Sequence, residues 1–285
     1  MKSTTRLRWP IFILTVFACV AGFFLRRAQL GSMQPDGSPA DGSRAHIYLL
    51  ILAVATAVAL AALLFPLTRQ RSWKSVFAYR PAFYLIHLAA AVGLLVGNLL
   101  LWIVGQPEEA LATVTAPAVS RVLGQMLAPM GLLAALCLGA FAIVGLYGKK
   151  PSGLFHIAAT LYLVIRLIVC FQQWNTDPWI HDYCYQLLAA VCCMLAVVQL
   201  VGFSLNYGKR RITLFWCLMA ALFCSMTVAD HLRSGAVVEN LINISLLVTM
   251  LGSGLQLLFC DLRPEMEEAA KEERPAEEDK PASEL

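Results

Sequence analysis

One arginine lies well inside an apolar stretch of this sequence and carries its clearest chemical signal. Arg166 is the only charged side chain between residues 153 and 173. An arginine at the centre of a bilayer is disfavoured by about 2.5 to 3.5 kcal/mol on insertion scales. If the stretch is helical, Arg166 lies about 10 Å from its end at Gln173, and its side chain reaches only part of that distance. We therefore expect a charged partner or a water-filled cavity around Arg166.

Polar residues that could surround Arg166 gather at the matching ends of neighbouring apolar stretches. Two pairs have a spacing of four residues, which puts both members on one face of a helix. A tyrosine also precedes Arg166 by one helical turn. We predict one outward-facing polar cavity, anchored by Arg166 and lined by Tyr162, Asp182, Gln186, Asp230, Glu239 and Asn243.

Three functions fit this set of residues. Arg166 could bind a carboxylate or a phosphate, because a guanidinium matches both groups. The protein would then bind or transport a small polar or anionic solute. Arg166 could instead pair with Glu239 or Asp230 and fix helix register, as in a non-catalytic scaffold or accessory subunit. A metal-dependent intramembrane enzyme is the third reading, with ligands drawn from His181, Asp182, Asp230, His231 and Glu239.

Other chemistry has little support in the sequence. No HExxH or GxSxG motif and no glycine-rich phosphate loop is present, so we assign no catalytic residue, metal site or cofactor. His87 and His156 lie near the inner ends of their stretches, far in depth from the group around Arg166. We interpret both as buried or interfacial histidines. The nine cysteines fall within or beside apolar stretches without a CxxC pair, which is typical of small buried hydrophobes.

The composition places these residues in a membrane protein. Hydrophobic residues make up 59% of the 285 residues and charged ones only 14%, whereas soluble domains average about 25% charged. Continuous apolar runs of this length predict membrane-spanning helices, because an open strand edge cannot be satisfied in lipid. We predict an all-α, polytopic fold with a charged tail at 261–285 and one membrane domain at 1–260, whose spans are 9–25, 46–65, 83–104, 124–147, 153–173, 183–206, 212–230 and 237–260.

Basic residues predict which way the chain crosses the membrane. Twelve Lys and Arg residues lie in the N-terminal segment and in the loops after the second, fourth and sixth spans, against five in the alternate segments. Because basic loops face the cytoplasm, both termini are predicted to be cytoplasmic. We interpret the first span as an uncleaved anchor, the alternative being a signal peptide that leaves seven spans.

Partners and location follow from this topology. We expect the lipid bilayer and a small anionic solute as partners, with no nucleic acid, because membrane topology explains the net charge of +4. The only glycosylation sequon, at Asn243, lies within a span, and the loops are short. We therefore predict that the protein lies in the cell membrane, as a bacterial inner or cytoplasmic membrane protein. No feature of the sequence indicates a particular protein partner.

Small residues at a spacing of four predict close helix packing in two of the spans. The third span carries Ala89, Gly93 and Gly97, and the fourth carries Gly131, Ala135 and Gly139. We expect both faces to pack within a single chain.

Overall fold

The computed structural model describes residues 2–33, 44–67, 81–104, 118–149, 151–174, 180–205 and 207–259, with most of their side chains. All regular structure in these ranges is helical. A short 3-10 turn, Gly153–Phe155, precedes the fifth helix. The α-helices are α1 (Lys2–Gly31), α2 (Ala45–Leu64), α3 (Pro81–Val104), α4 (Ala118–Leu146), α5 (His156–Trp174), α6 (Ile180–Ser204), α7 (Arg210–Ser234) and α8 (Val237–Phe259).

All eight helices are long and apolar enough to cross a membrane. This confirms the predicted fold, a polytopic helical membrane protein. Six of the helices begin and end within four residues of the predicted spans. Helix α4 begins six residues earlier than predicted, and α1 extends beyond its predicted span at both ends, continuing past Arg26 and Arg27 to Gly31. The predicted tail at 261–285 lies outside the described residues.

Six of the helices form a closed ring. Each of α3 to α7 packs against the next helix along the chain, and α8 closes the ring by packing against α3. Helix α1 packs against α7 from outside the ring, and α2 packs against α1. The apolar part of α7 is accordingly 83% buried, against 22% for α2. Apart from Arg27 near the end of α1, the large exposed side chains described on α1 and α2 are apolar or aromatic, as a lipid-facing surface requires.

We name the two ends of the ring after the predicted orientation. The outer end is where α3, α5 and α7 end and where α4, α6 and α8 begin. The inner end is the opposite one, where Arg210 of α7 donates hydrogen bonds to the carbonyls of Leu257 (2.9 Å) and Leu258 (3.2 Å). Arg211 donates to the carbonyl of Leu67 beyond α2. These two arginines satisfy carbonyls at helix C-termini, which lack a partner within their own helix.

The small-residue faces of α3 and α4 bring ring helices into close contact. A Cβ atom added at Gly97 would lie 2.7 Å from the Ile242 side chain of α8. One added at Gly131 of α4 would overlap Oδ1 of Asn98 on α3. Both faces therefore pack within the chain, although Ala89 at the start of the pattern is exposed. The contact at Gly131 matters for the site, because it sets the position of Asn98.

Candidate functional site

Arg166 lies inside the ring and joins two helices that face each other across it. The residue is 3% exposed. Its guanidinium donates to Oε2 of Glu239 (2.7 Å), to Oδ1 of Asn243 (3.2 Å) and to the hydroxyl of Tyr162 (3.3 Å). Tyr162 precedes Arg166 by one turn of α5, and Glu239 and Asn243 are one turn apart on α8. Four of the seven predicted residues thus meet at one point near the outer end.

Two further ring helices contribute to this group. Asn98 of α3 lies beside the Tyr162 hydroxyl and donates to the carbonyl of Leu94 (2.8 Å). His231 of α7 lies close enough to interact with Glu239 and Arg166. The outer cluster, as we name it, comprises Asn98, Tyr162, Arg166, His231, Glu239 and Asn243. Asn98 went unnoticed in the sequence, although an amide in the middle of an apolar stretch is a usable signal.

Several hydrogen-bond donors of the outer cluster have no acceptor among the described residues. A guanidinium has five N–H donors, and Arg166 uses three of them on the described residues. Because a guanidinium cannot accept a hydrogen bond, Asn243 must turn its amide oxygen towards Arg166. The amide nitrogen of Asn243 is buried and makes no hydrogen bond to any described residue. Arg166 also contacts Glu239 through one nitrogen and one oxygen, not through the two parallel bonds of the strongest pairs.

The structure places Asp230 elsewhere than predicted. Its Oδ1 accepts a hydrogen bond of 2.6 Å from Nε of Arg26 on α1. Arg26 is fully buried, its NH1 also donates to Oε1 of Gln29 (2.7 Å), and its guanidinium lies 4.9 Å from the Tyr185 ring centre. Asp230 therefore neutralises a charge between α1 and α7, on the outside of the ring. This pairing also explains why α1 continues through Arg26.

The remaining two predicted residues lie on α6. The Gln186 amide nitrogen is 3.6 Å from Sγ of Cys170, which follows Arg166 by one turn of α5 towards the outer end. Gln186 therefore borders the outer cluster through Cys170. Asp182 lies in the first turn of α6, but its side chain is outside the described part of the structure.

A second polar group lies in the ring nearer its inner end. The ring of Phe141 on α4 contacts Tyr84 and His87 of α3 and His156 of α5, at 5.8, 5.7 and 4.7 Å between centroids. Gln256 of α8 lies beside Tyr84 and His87. We call these five residues the inner cluster. Both histidines are buried, at 2% and 1% exposure. The proximity of Gln256 to His87 was not foreseen.

The inner cluster is poorly satisfied. Neither ring nitrogen of His87 and neither amide atom of Gln256 makes a hydrogen bond of acceptable geometry to a described residue. An unpaired polar group in an apolar interior typically costs about 1 to 3 kcal/mol. These two side chains therefore reduce the stability of the fold unless something else binds them.

The described residues do not assemble a metal site of three or more His, Cys, Asp or Glu side chains. Asp230 and Glu239, two of the proposed ligands, each contact an arginine instead. The side chains of His181 and Asp182 lie outside the described residues.

The chain matches no family model, no curated protein and no solved structure.

Proposed function

We propose that this multi-pass membrane protein binds or transports a small polar or anionic solute, with Arg166 of the outer cluster as the anchor. The observation that carries the proposal is the spare donor capacity of a buried group. Two N–H donors of Arg166 and the amide nitrogen of Asn243 have no acceptor among the described residues. Donors of this kind, inside a membrane, suit a carboxylate or a phosphate.

The arrangement of the outer cluster suggests a role for each side chain. Tyr162 and Asn243 accept hydrogen bonds from Arg166 and so orient its guanidinium. The Glu239 side chain is 29% exposed and that of Arg166 only 4%, so Glu239 lies nearer to solvent. A solute entering at the outer end would meet Glu239 first and Arg166 behind it. In the predicted orientation this end faces away from the cytoplasm.

A structural role is the competing proposal, and one observation favours it. The Arg166–Glu239 ion pair joins α5 to α8 across the ring, as a helix-registering pair would. In a scaffold or accessory subunit the pair would need no access to water. The two proposals therefore differ in whether a water-accessible path leads from the outer end to Arg166.

Cys170 is a natural reporter for such a path, because it lies one turn outward of Arg166 and is only 4% exposed, so a water-soluble reagent would reach it only if the path exists. Intact cells would be treated with a small, charged, membrane-impermeant thiol reagent, and the modified cysteines would be identified by mass spectrometry. We expect Cys170 to be labelled, and to be protected when a bound solute is present. Cys193 is the control, because it is fully buried between α6 and α7, 3.6 Å from Cys224. If Cys170 stays as unreactive as Cys193, the scaffold proposal gains.

A further inference from the structure

We infer that the solute of the outer cluster is a small zwitterion, a molecule that carries both a carboxylate and an ammonium group, as a short amino acid does. The inference rests on the proposed function and narrows the class of solute. It follows from the charge balance of the cluster and from the positions of its unused hydrogen-bonding groups.

The charged side chains seen in the outer cluster balance each other. Arg166 contributes one positive charge and Glu239 one negative charge, their contact is 2.7 Å, and the imidazole of His231 is counted as neutral. A simple anion would leave the cluster with an excess negative charge, or it would displace Glu239 from its partner. Both outcomes cost free energy, because either the buried Arg166 shares its charge between two anions or Glu239, whose side chain is 29% exposed, loses its counter-charge. A zwitterion replaces one ion pair with two and leaves the net charge unchanged.

The unused groups of the cluster have the matching polarity. On the Arg166 side the spare groups are donors, namely two guanidinium N–H groups and the amide nitrogen of Asn243. On the Glu239 side the spare group is an acceptor, because only one of its two carboxylate oxygens contacts Arg166. A carboxylate therefore fits on Arg166 and Asn243, and an ammonium group fits on Glu239.

The ring leaves little room, which limits the size of the solute. Tyr162, Arg166 and Asn243 are each at most 3% exposed, and Asn98 fits against Gly131 without space to spare. A molecule with a small side chain or none is therefore the best match.

Three related compounds separate a zwitterion from an anion and a cation. Alanine carries both charged groups, propionate is alanine without the ammonium group, and ethylamine is alanine without the carboxylate. The thermal unfolding midpoint of the full-length protein in detergent would be measured with each compound over a millimolar range. We expect alanine to raise the midpoint, and propionate and ethylamine to need at least a tenfold higher concentration for the same shift. Equal effects of propionate and alanine would overturn the zwitterion and leave an anion site at Arg166. No shift with any compound, with glycine and acetate tested in parallel, would overturn both proposals.

Charge variants test the assignment of the two ends. In Glu239→Gln the positive charge of Arg166 is no longer balanced, so propionate should raise the unfolding midpoint at lower concentrations than alanine does. The double variant Arg166→Gln/Glu239→Gln removes both charges together and should respond to none of the compounds. Asp230→Asn is the control, because it breaks an ion pair outside the ring and should keep the preference for alanine. An unchanged preference for alanine in Glu239→Gln would contradict the inference.

Discussion

Arg166 of α5 lies 2.7 Å from the carboxylate of Glu239 on α8, a residue 73 positions later in the chain. The two helices face each other across a ring of six, and the pair spans its interior. A second buried pair of nearly the same length, Arg26 with Asp230, lies outside the ring between α1 and α7. The chain thus offers one ion pair in a candidate site and a comparable one outside it.

Glu239→Gln should lower the free energy of unfolding by about 3 kcal/mol, because it leaves the buried guanidinium of Arg166 without a counter-charge. The double variant Arg166→Gln/Glu239→Gln should recover a large part of that loss. A double-mutant cycle on detergent-solubilised protein would measure the coupling. Additive effects of the two substitutions would show that the contact contributes no interaction energy.

Asp230→Asn should also destabilise the protein, by about 2 kcal/mol, because the fully buried Arg26 would lose the charged acceptor that lies 2.6 Å from its Nε atom. The loss should be seen in unfolding titrations, while the response to solutes should stay that of the parent. If Asp230→Asn abolished the solute response, Asp230 would belong to the solute site after all, as the sequence had suggested.

Gly131→Ala should destabilise the ring and weaken the outer cluster, because the new methyl group would overlap Asn98 next to Tyr162. Overpacking of this kind costs about 1 to 3 kcal/mol. Gly124→Ala on the same helix is the matched control, since nothing lies within 4 Å of its added Cβ atom. That substitution should be neutral or should stabilise the helix by up to about 1 kcal/mol. Equal stabilities of the two variants would contradict the close contact.

Gln256→Met should leave the stability unchanged or raise it by about 1 kcal/mol, because the amide atoms that it removes have no hydrogen bond to a described residue. Thr249→Val on the same helix calibrates the measurement, since the Thr249 hydroxyl does donate to the carbonyl of Ser245 (2.8 Å). Thr249→Val should lower the free energy of unfolding by up to about 1 kcal/mol. A loss of more than 1 kcal/mol in Gln256→Met would indicate that bound water or a ligand satisfies the inner cluster.

The spans could be predicted from the sequence because a membrane imposes length and apolarity on each one separately. Charge at a helix end was less informative. The predicted first span ends at residue 25, just before Arg26 and Arg27, yet α1 continues to Gly31, and the Arg26 within it pairs with Asp230. Such a pairing depends on α1 packing against α7, and the sequence of neither segment indicates that the two helices are in contact.

The candidate site was predictable in part for the same reason. Arg166 stood out by its cost in lipid, and Glu239 was named as a possible partner from its similar depth. The ring order that brings α5 opposite α8 depends on contacts between distant segments, so Asp230 was grouped with them although it lies outside. Asn98 and Gln256 were overlooked because an uncharged amide in an apolar stretch is a weaker signal than a charge. Their importance comes from the neighbours that the fold supplies.

The most direct test of the central claim is the thermal unfolding of the parent and of Arg166→Gln in detergent, with and without small carboxylates and zwitterions. If Arg166 binds a solute, at least one of these compounds should raise the midpoint of the parent and leave that of the variant unchanged. If Arg166→Gln unfolds several degrees lower and no compound shifts the parent, Arg166 is a structural partner of Glu239 and the account is contradicted.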